Sequence, residues 1–115
     1  MTSRDLAFAA DVLAAARLVV RFAGDLNGAE DLRADLLTQS AVMRQLEVMG
    51  EATKRLSQGF RTDHPGVPWR SVAGLRDVLI HAYDQLDLDK VWATVARDIP
   101  ALIPKLEAIV AAAGE

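Results

Sequence analysis

Apolar residues recur at helical spacing along most of this chain, and no stretch alternates apolar and polar residues as a half-buried strand does. Hydrophobic residues make up 51% of the sequence but aromatic ones only 5%, because most are alanine, leucine and valine. Such a composition favours helices. The sequence therefore predicts an all-α bundle, with its clearest stripe near the N-terminus at Leu6, Ala9, Ala10, Leu13, Ala16 and Val20.

The chain length and residue usage set further limits. With 115 residues, a single domain over 1–115 is expected. Cysteine is absent, which excludes disulfides and thiolate chemistry. The apolar runs are too short to cross a membrane, and Arg4 and Asp5 interrupt any secretory signal. We therefore expect a cytoplasmic protein that does not engage membranes.

Charge is unevenly distributed along the sequence. The net charge of −3 argues weakly against a general nucleic-acid binder. Residues 44–76, however, carry six basic and three acidic side chains. This basic third of the chain leads directly into the motif described below, although ordinary solvated helix faces would also account for it.

Capping residues and glycines predict the helix boundaries in the first half. The first helix is expected from Ser3 to about Ala23, followed by a short connector near residues 29–36. Thr38 can cap a long helix over residues 39–60, in which Gly50 is costly and suggests a close helix–helix contact. The buried stripe of that helix is predicted to be Val42, Leu46, Met49, Thr53 and Leu56.

Prolines and one aspartate predict the boundaries in the second half. Residues 59–68 are expected to form a turn, after which Trp69 or Arg70 opens the motif helix. Asp87 is a plausible N-cap for a helix over residues 88–97. Pro100 and Pro104 then punctuate a last helix ending near residue 113, each at a first turn or a kink.

The residues that carry chemistry lie in the segment 76–83. Arg76, Asp77, His81 and Tyr83 share the end of one amphipathic helix. Asp77 and His81 are four apart, so the carboxylate can hold one imidazole nitrogen and raise the pKa of the histidine. Arg76 and His81 are about 140° apart on an ideal helix, and Ile80 interrupts the polar face. Two facing copies would arrange the arginine and histidine better than one copy.

Ordinary structural roles would also account for these residues. An arginine and a histidine on a helix usually make surface or capping contacts, and Asp77–His81 could be a weak surface pair. His64 is expected to be structural, and Trp69 and Trp92 to be packing residues. No histidine or cysteine spacing indicates a metal site.

With Arg76, Asp77, His81 and Tyr83, the sequence resembles the HEPN-domain ribonucleases, in the branch of HepT-type toxins. Residues 43–56 are similar to the long second helix of that branch. Residues 68–77, which begin Pro68-Trp69-Arg70, are similar to its approach to the motif. Similarity continues through residues 86–92 and 98–100, and so covers nearly the whole chain. Asp84 and Gln85 stand where the family often has an aromatic residue and a glycine.

The resemblance implies a HEPN-type antiparallel helical bundle with two long N-terminal helices and shorter C-terminal helices. It implies a homodimer with both motifs facing one cleft, and endoribonuclease activity on tRNA or mRNA without a metal or cofactor. It also implies a cognate nucleotidyltransferase antitoxin of a type VII-like toxin–antitoxin pair. In the HepT branch that partner can transfer AMP to the motif tyrosine, here Tyr83.

On this reading the motif residues have separate roles. His81 transfers a proton, Arg76 stabilises charge on the reacting phosphorus, Asp77 orients His81, and Tyr83 helps to position RNA. Two alternatives remain open at this stage. The chain could be a non-catalytic HEPN helical binding module that partners a nucleotidyltransferase, or a plain dimeric scaffold.

Overall fold

The computed structural model describes residues 3–79 and 86–113, apart from the side chains of Ser3 and Val78. Within these residues there are eight α-helices, one π-helical segment and no β-strand, which confirms the all-α prediction. The C-terminal helices are shorter than α1 and α3, as expected. The elements are α1 (Ser3–Ala23), α2 (Ala29–Ala34), α3 (Leu36–Lys54), α4 (Gln58–Asp63), α5 (Trp69–Ala73), α6 (Leu75–Leu79), α7 (Leu88–Ala93), the π-helical segment (Thr94–Asp98) and α8 (Ile99–Ala113).

The core lies where α1 packs against both α3 and α8. Val12 of α1, Leu46 of α3 and Leu106 of α8 have no solvent exposure. The first turn of α1 meets the end of α3, because the Asp5 carboxylate accepts hydrogen bonds from the Ser57 N–H and hydroxyl, both at 2.8 Å. The two long helices are therefore antiparallel.

The predicted buried stripe of α3 is confirmed, and that of α1 is confirmed only in part. For the long second helix, all five predicted residues are buried; four of them lie in α3, and Leu56 follows the end of that helix. In α1, Ala9, Leu13 and Ala16 are buried, whereas Leu6 and Ala10 are half-buried. Val20 is 38% exposed and Val19 is buried in its place. The apolar face of α1 therefore shifts by one position in its last turns. The run Leu18-Val19-Val20 offers two neighbouring valines, and the predicted one, Val20, is wrong.

The long helix predicted over residues 39–60 is wrong at both ends. It begins at Leu36, because the Asp35 side chain caps it by accepting from the Thr38 N–H (3.0 Å) and hydroxyl (2.6 Å). The connector α2 consequently ends at Ala34 rather than at residue 36. At the other end α3 stops at Lys54, and Ser57 caps a new helix by accepting from the Phe60 N–H.

The segment predicted as a turn over residues 59–68 is also partly helical. Residues 59–63 belong to α4, and only residues 64–68 form the turn. Trp69 opens α5 as predicted, but the motif helix divides at Gly74 into α5 and α6. Gly50 lies against this division: a Cβ built on it would be 3.2 Å from the Ala73 carbonyl oxygen. The predicted close contact at Gly50 is thus confirmed.

The C-terminal boundaries follow the prediction with one difference. Asp87 caps α7 by accepting from the Lys90 N–H (3.2 Å), and Pro100 lies in the first turn of α8. The helix predicted over residues 88–97 changes to π-helical form at Thr94. Pro100 has no N–H to donate to the carbonyl of residue 96. The π-helical segment contains residue 96, whose carbonyl therefore lacks this helical hydrogen bond.

Candidate functional site

Two of the four predicted site residues lie within the described part of the chain. Arg76 and Asp77 are in α6, and both side chains are exposed. His81 and Tyr83 lie outside the described residues, so the Asp77–His81 pair and the role given to Tyr83 remain predictions.

The α5–α6 segment that presents Arg76 is fixed by packing on its inner side. Trp69 at the start of α5 is buried, and its indole Nε1–H donates to the His64 carbonyl at 2.9 Å. The His64 ring lies 4.6 Å from that of Phe60. Leu79 at the end of α6 is 1% exposed. His64 and Trp69 therefore have the structural roles predicted for them, and Trp92 packs half-buried against the core.

The chain leaves α6 and returns to α7 at a common point. The Asp87 N–H donates to the Leu79 carbonyl at 2.9 Å. Asp87 also caps α7. The backbone hydrogen bond from Asp87 to Leu79 therefore joins the two described ends that flank residues 80–85. It lies at the end of α6, the helix that carries Arg76.

Arg76 opens onto a cleft of about 360 Å³ between α3 and α6. We call it the Arg44–Arg76 cleft. Its lining combines two arginines, one carboxylate, two uncharged polar side chains and two apolar ones. These residues are Gln39, Ser40, Met43, Arg44, Glu47, Arg76 and Leu86.

The electrostatics of this cleft favour an anionic ligand. Arg44 and Arg76 are both exposed, and neither forms an ion pair with any residue that the structure describes. Glu47 is three residues from Arg44 on α3, yet no ion pair between the two is observed. Two guanidinium groups with unused donors can bind phosphate oxygens in the bidentate geometry that arginine favours.

The sequence motif indicates Arg76, but it does not indicate the residues of α3 that line the cleft. Arg44 belongs to the basic stretch 44–76, and its spacing of three residues from Glu47 predicts only that the two can pair along one helix face. Gln39, Ser40 and Met43 carried no signal at all. Only the packing of α3 against α6 brings these residues beside Arg76.

Two exposed leucines adjoin the cleft. Leu36 is 73% exposed and Leu37 is 83% exposed, the highest values among the large hydrophobic side chains described. Both lie in the first turn of α3, directly before the cleft residues Gln39 and Ser40. Adjacent exposed leucines are more typical of a surface that contacts a partner than of a free surface.

Neither a metal site nor a membrane span appears in residues 3–79 and 86–113. No three histidine, cysteine, aspartate or glutamate side chains cluster there in a way that could hold a metal ion. No described helix is both long enough and apolar enough to cross a bilayer.

Comparison with known proteins bears on the family of the chain. A family model described as Ribonuclease HepT-like matches residues 12–109. A protein named as a probable ribonuclease HepT in Thermococcus cleftensis is 43% identical over 97 residues, which is 84% of this chain and 87% of that protein. No solved structure gives a significant match.

Two relatives from Methanocaldococcus jannaschii, both named as RNases, extend the similarity to almost the full chain. One is 36% identical over 110 residues, covering 95% of this chain and all of the relative. The other is 39% identical over 111 residues, covering 96% of this chain and 91% of the relative. The match therefore includes the cleft, α6 and the segment that follows it, and the chain belongs to the HepT-like ribonuclease family.

Proposed function

We propose that this protein is a metal-independent endoribonuclease toxin that cleaves RNA through attack of a ribose 2′-hydroxyl on the adjacent phosphorus. One observation carries the proposal. Arg76 lies exposed in a cleft with a second arginine, and neither guanidinium forms an ion pair within the described residues. An RNA phosphate supplies negative charge beyond that of Glu47, the one carboxylate in the lining of this cleft.

The proposed reaction needs one proton acceptor, one proton donor and a positive charge. A base removes the proton of the 2′-hydroxyl, the 2′-oxygen bonds to phosphorus, and the bond from phosphorus to the 5′-oxygen breaks. The departing 5′-oxygen takes a proton, which leaves a 2′,3′-cyclic phosphate and a 5′-hydroxyl. We assign proton transfer to His81, because imidazole titrates near neutral pH.

Arg76 supplies the positive charge in this mechanism. The pentacovalent phosphorus carries more negative charge than the ground-state phosphodiester, so a guanidinium held beside it stabilises the transition state preferentially. Burial of Leu79 and Trp69 on the inner side of α5 and α6 keeps Arg76 in place. Asp77 is assigned a positioning role, in which it orients His81.

Arg44 is a second cationic group for the same substrate. It lines the cleft from α3, on the side opposite α6. We assign it to binding a phosphate of the RNA strand next to the one that reacts. Met43 and Leu86 give the cleft apolar surface that a base or ribose can contact.

A homodimer is part of the proposal. On one ideal helix Arg76 and His81 diverge by about 140°, so a second copy facing the first would improve the site. The exposure of Leu36 and Leu37 beside the cleft supports this arrangement, since a second copy would cover them. Dimerisation through this face would place four catalytic side chains around one substrate channel.

We further propose a nucleotidyltransferase antitoxin as partner, in a type VII-like toxin–antitoxin pair. Tyr83 is the only tyrosine in the chain, so a tyrosine-linked AMP has one possible position. The added phosphodiester would bring negative charge next to Arg76 and repel the RNA backbone. Intact mass spectrometry after incubation with the partner and ATP tests this step. Neutralisation of an unmodified protein would mean inhibition by binding alone.

The central experiment compares purified variants on RNA in the presence of EDTA. Arg76→Ala and His81→Ala are each expected to lower the cleavage rate about 10²–10⁴-fold. The matched control is Arg97→Ala, which removes an exposed arginine that pairs with Asp98, outside the cleft. If His81→Ala cleaves RNA as fast as the wild-type protein does, the mechanism is refuted. Wild-type protein that cleaves nothing would favour the non-catalytic binding module.

A further inference from the structure

A second cleft lies between α4 and α5, apart from the Arg44–Arg76 cleft. Its volume is about 570 Å³, and it is open to solvent. We call it the Arg61–Arg70 cleft. The residues that line it are Gln58, Arg61, Thr62, Pro68, Trp69, Arg70 and Ser71. None of them also lines the Arg44–Arg76 cleft.

All the polar side chains that line this cleft can donate hydrogen bonds. They comprise two guanidinium groups, two hydroxyls and one primary amide, and no carboxylate is among them. One contact among them is observed, from the Gln58 amide to the Thr62 hydroxyl at a long 3.5 Å. A concave surface with many donors and no negative charge suits an anion.

The two arginines of the cleft differ in burial and in hydrogen bonding. Arg61 is half-buried, and its Nη2 donates to the Thr53 carbonyl at the end of α3 (2.7 Å), which holds the guanidinium in place. Its Nε is buried without a hydrogen-bond partner among the described residues. Arg70 is exposed. The cleft thus combines one guanidinium hydrogen-bonded to the backbone of α3 with one that is exposed to solvent.

Neither arginine is neutralised by the carboxylates of the described residues. Arg61 and Arg70 form no ion pair there, whereas Arg17, Arg33 and Arg97 each pair with an aspartate or glutamate. Asp63 is the only acidic residue between positions 57 and 70, and it does not line the cleft. The positive charge of this surface is therefore available to a ligand from solution.

We propose that the Arg61–Arg70 cleft binds a phosphodiester group of the RNA strand whose scissile phosphate occupies the Arg44–Arg76 cleft. This inference rests on the ribonuclease function proposed above and adds a second contact to it. Arg70 and Arg76 are six residues apart on the consecutive helices α5 and α6. Their Cα atoms are therefore at most about 23 Å apart. Fewer than about eight nucleotides span this distance, at roughly 3.4 Å per nucleotide of a helical strand.

The alternative is that Arg61 and Arg70 are merely solvated cations. Solvated cations would raise RNA affinity in proportion to net charge, wherever they stand on the surface. A phosphate site would instead make removal of Arg70 more costly than removal of another exposed arginine. A comparison of variants with the same net charge separates the two cases.

The test measures binding of a fluorescent single-stranded RNA of about 16 nucleotides, a length within the footprint of small single-strand binders. Every ribose carries a 2′-O-methyl group, so the RNA cannot be cleaved through its 2′-oxygen. Fluorescence anisotropy gives the dissociation constant of each protein between about 50 and about 200 mM KCl. The variants are Arg70→Gln, Arg61→Gln and the control Arg97→Gln, each of which loses one positive charge.

Arg70→Gln is expected to weaken binding about tenfold relative to wild type. It is also expected to lower the slope of log affinity against log salt by about 0.7, the value for one phosphate contact on a single strand. Arg97→Gln should stay within about twofold of wild type, as expected for a surface charge outside the RNA path. Arg61→Gln should follow Arg70→Gln, with its melting temperature measured alongside because Arg61 also bonds to Thr53.

Two outcomes would overturn the proposal, and they differ in what else they affect. If wild type binds and cleaves RNA, but Arg70→Gln and Arg97→Gln give the same affinity and slope, the second site is refuted and the ribonuclease function stands. If wild type neither binds this RNA nor cleaves an unmodified one, both the second site and the proposed function are refuted.

Discussion

Replacement of Gly50 by alanine tests how closely α3 approaches the segment that carries Arg76. Gly50 is buried in the middle of α3, and an added Cβ would be 3.2 Å from the Ala73 carbonyl oxygen and 3.5 Å from that of Val72. The contact at 3.2 Å is shorter than ordinary van der Waals contact. Both neighbours are backbone atoms of α5, so relief requires α5 itself to move.

Two opposing terms set the size of the effect. Alanine is better than glycine inside a helix by about 0.5–1 kcal/mol. Overpacking a tight contact typically costs about 1–3 kcal/mol. Movement of α5 is resisted because Trp69 and Val72 are buried and the Trp69 indole is hydrogen-bonded to His64. We therefore expect the clash to prevail, with a net loss of about 1 kcal/mol in the free energy of unfolding.

Thermal and urea unfolding followed by circular dichroism measure this loss. A decrease of about 1 kcal/mol corresponds to a melting temperature lower by roughly 4 °C for a domain of this size. Gly59→Ala is the matched control, since Gly59 lies in α4 and a Cβ there meets nothing within 4 Å. It should leave stability unchanged or raise it. If Gly50→Ala stabilises the protein as much as Gly59→Ala does, the argument from close approach is wrong.

Three further predictions concern other parts of the fold. Asp5→Ala should lower the free energy of unfolding by about 3 kcal/mol in urea titrations, because it removes the buried acceptor of two Ser57 hydrogen bonds. The Thr38 hydroxyl and N–H lower the pKa of the Asp35 carboxyl, so its stabilising effect is present above the unfolded pKa of about 4 and is lost as pH falls through the lower folded pKa. The stability difference between wild type and Asp35→Asn should accordingly shrink in melts below about pH 4. Leu37→Glu should convert the proposed dimer to a monomer in light scattering while leaving the helical circular dichroism unchanged; a wild-type monomer at micromolar concentration would refute the dimer.

The helical content of the chain was predictable because its signals are local. Helical spacing predicted Val42, Leu46, Met49 and Thr53 on the buried face of α3, and all four are buried. Gly50 indicated a close contact before any partner was known, and Asp87 indicated the start of α7. Each of these signals can be recognised from residues that are close together in the sequence, because helical periodicity, propensity and capping act locally.

The errors at the helix boundaries came from competition between caps. Thr38 and Asp35 are both good capping residues, and the Asp35 carboxylate prevails because it accepts from both the N–H and the hydroxyl of Thr38. Ser57 interrupts the helix predicted to reach residue 60, and its hydroxyl and N–H are engaged by Asp5 from α1. A contact across 52 residues is invisible to a local pattern.

Some residues of the candidate site are indicated by the local sequence, and others come together only through packing. The motif names Arg76 and Asp77 directly through its fixed spacing; Arg76 lines the Arg44–Arg76 cleft, and the catalytic roles of both residues stay predictions. Arg44 and Glu47 could not be assigned to the site, since only the packing of α3 on α6 brings them there. The Arg61–Arg70 cleft had no signal beyond local basic charge, because its shape depends on how α4 and α5 meet.

The most direct test of the central claim is cleavage of an RNA with a single 2′-deoxyribose at the mapped cleavage position, in EDTA. The proposed mechanism uses the 2′-hydroxyl of that nucleotide as its nucleophile, so cleavage at that position should disappear while other susceptible positions are still cut. The unmodified RNA should yield 2′,3′-cyclic phosphate and 5′-hydroxyl ends. Undiminished cleavage at the deoxy position, or complete loss of activity on unmodified RNA in EDTA, would contradict metal-independent attack by the 2′-hydroxyl.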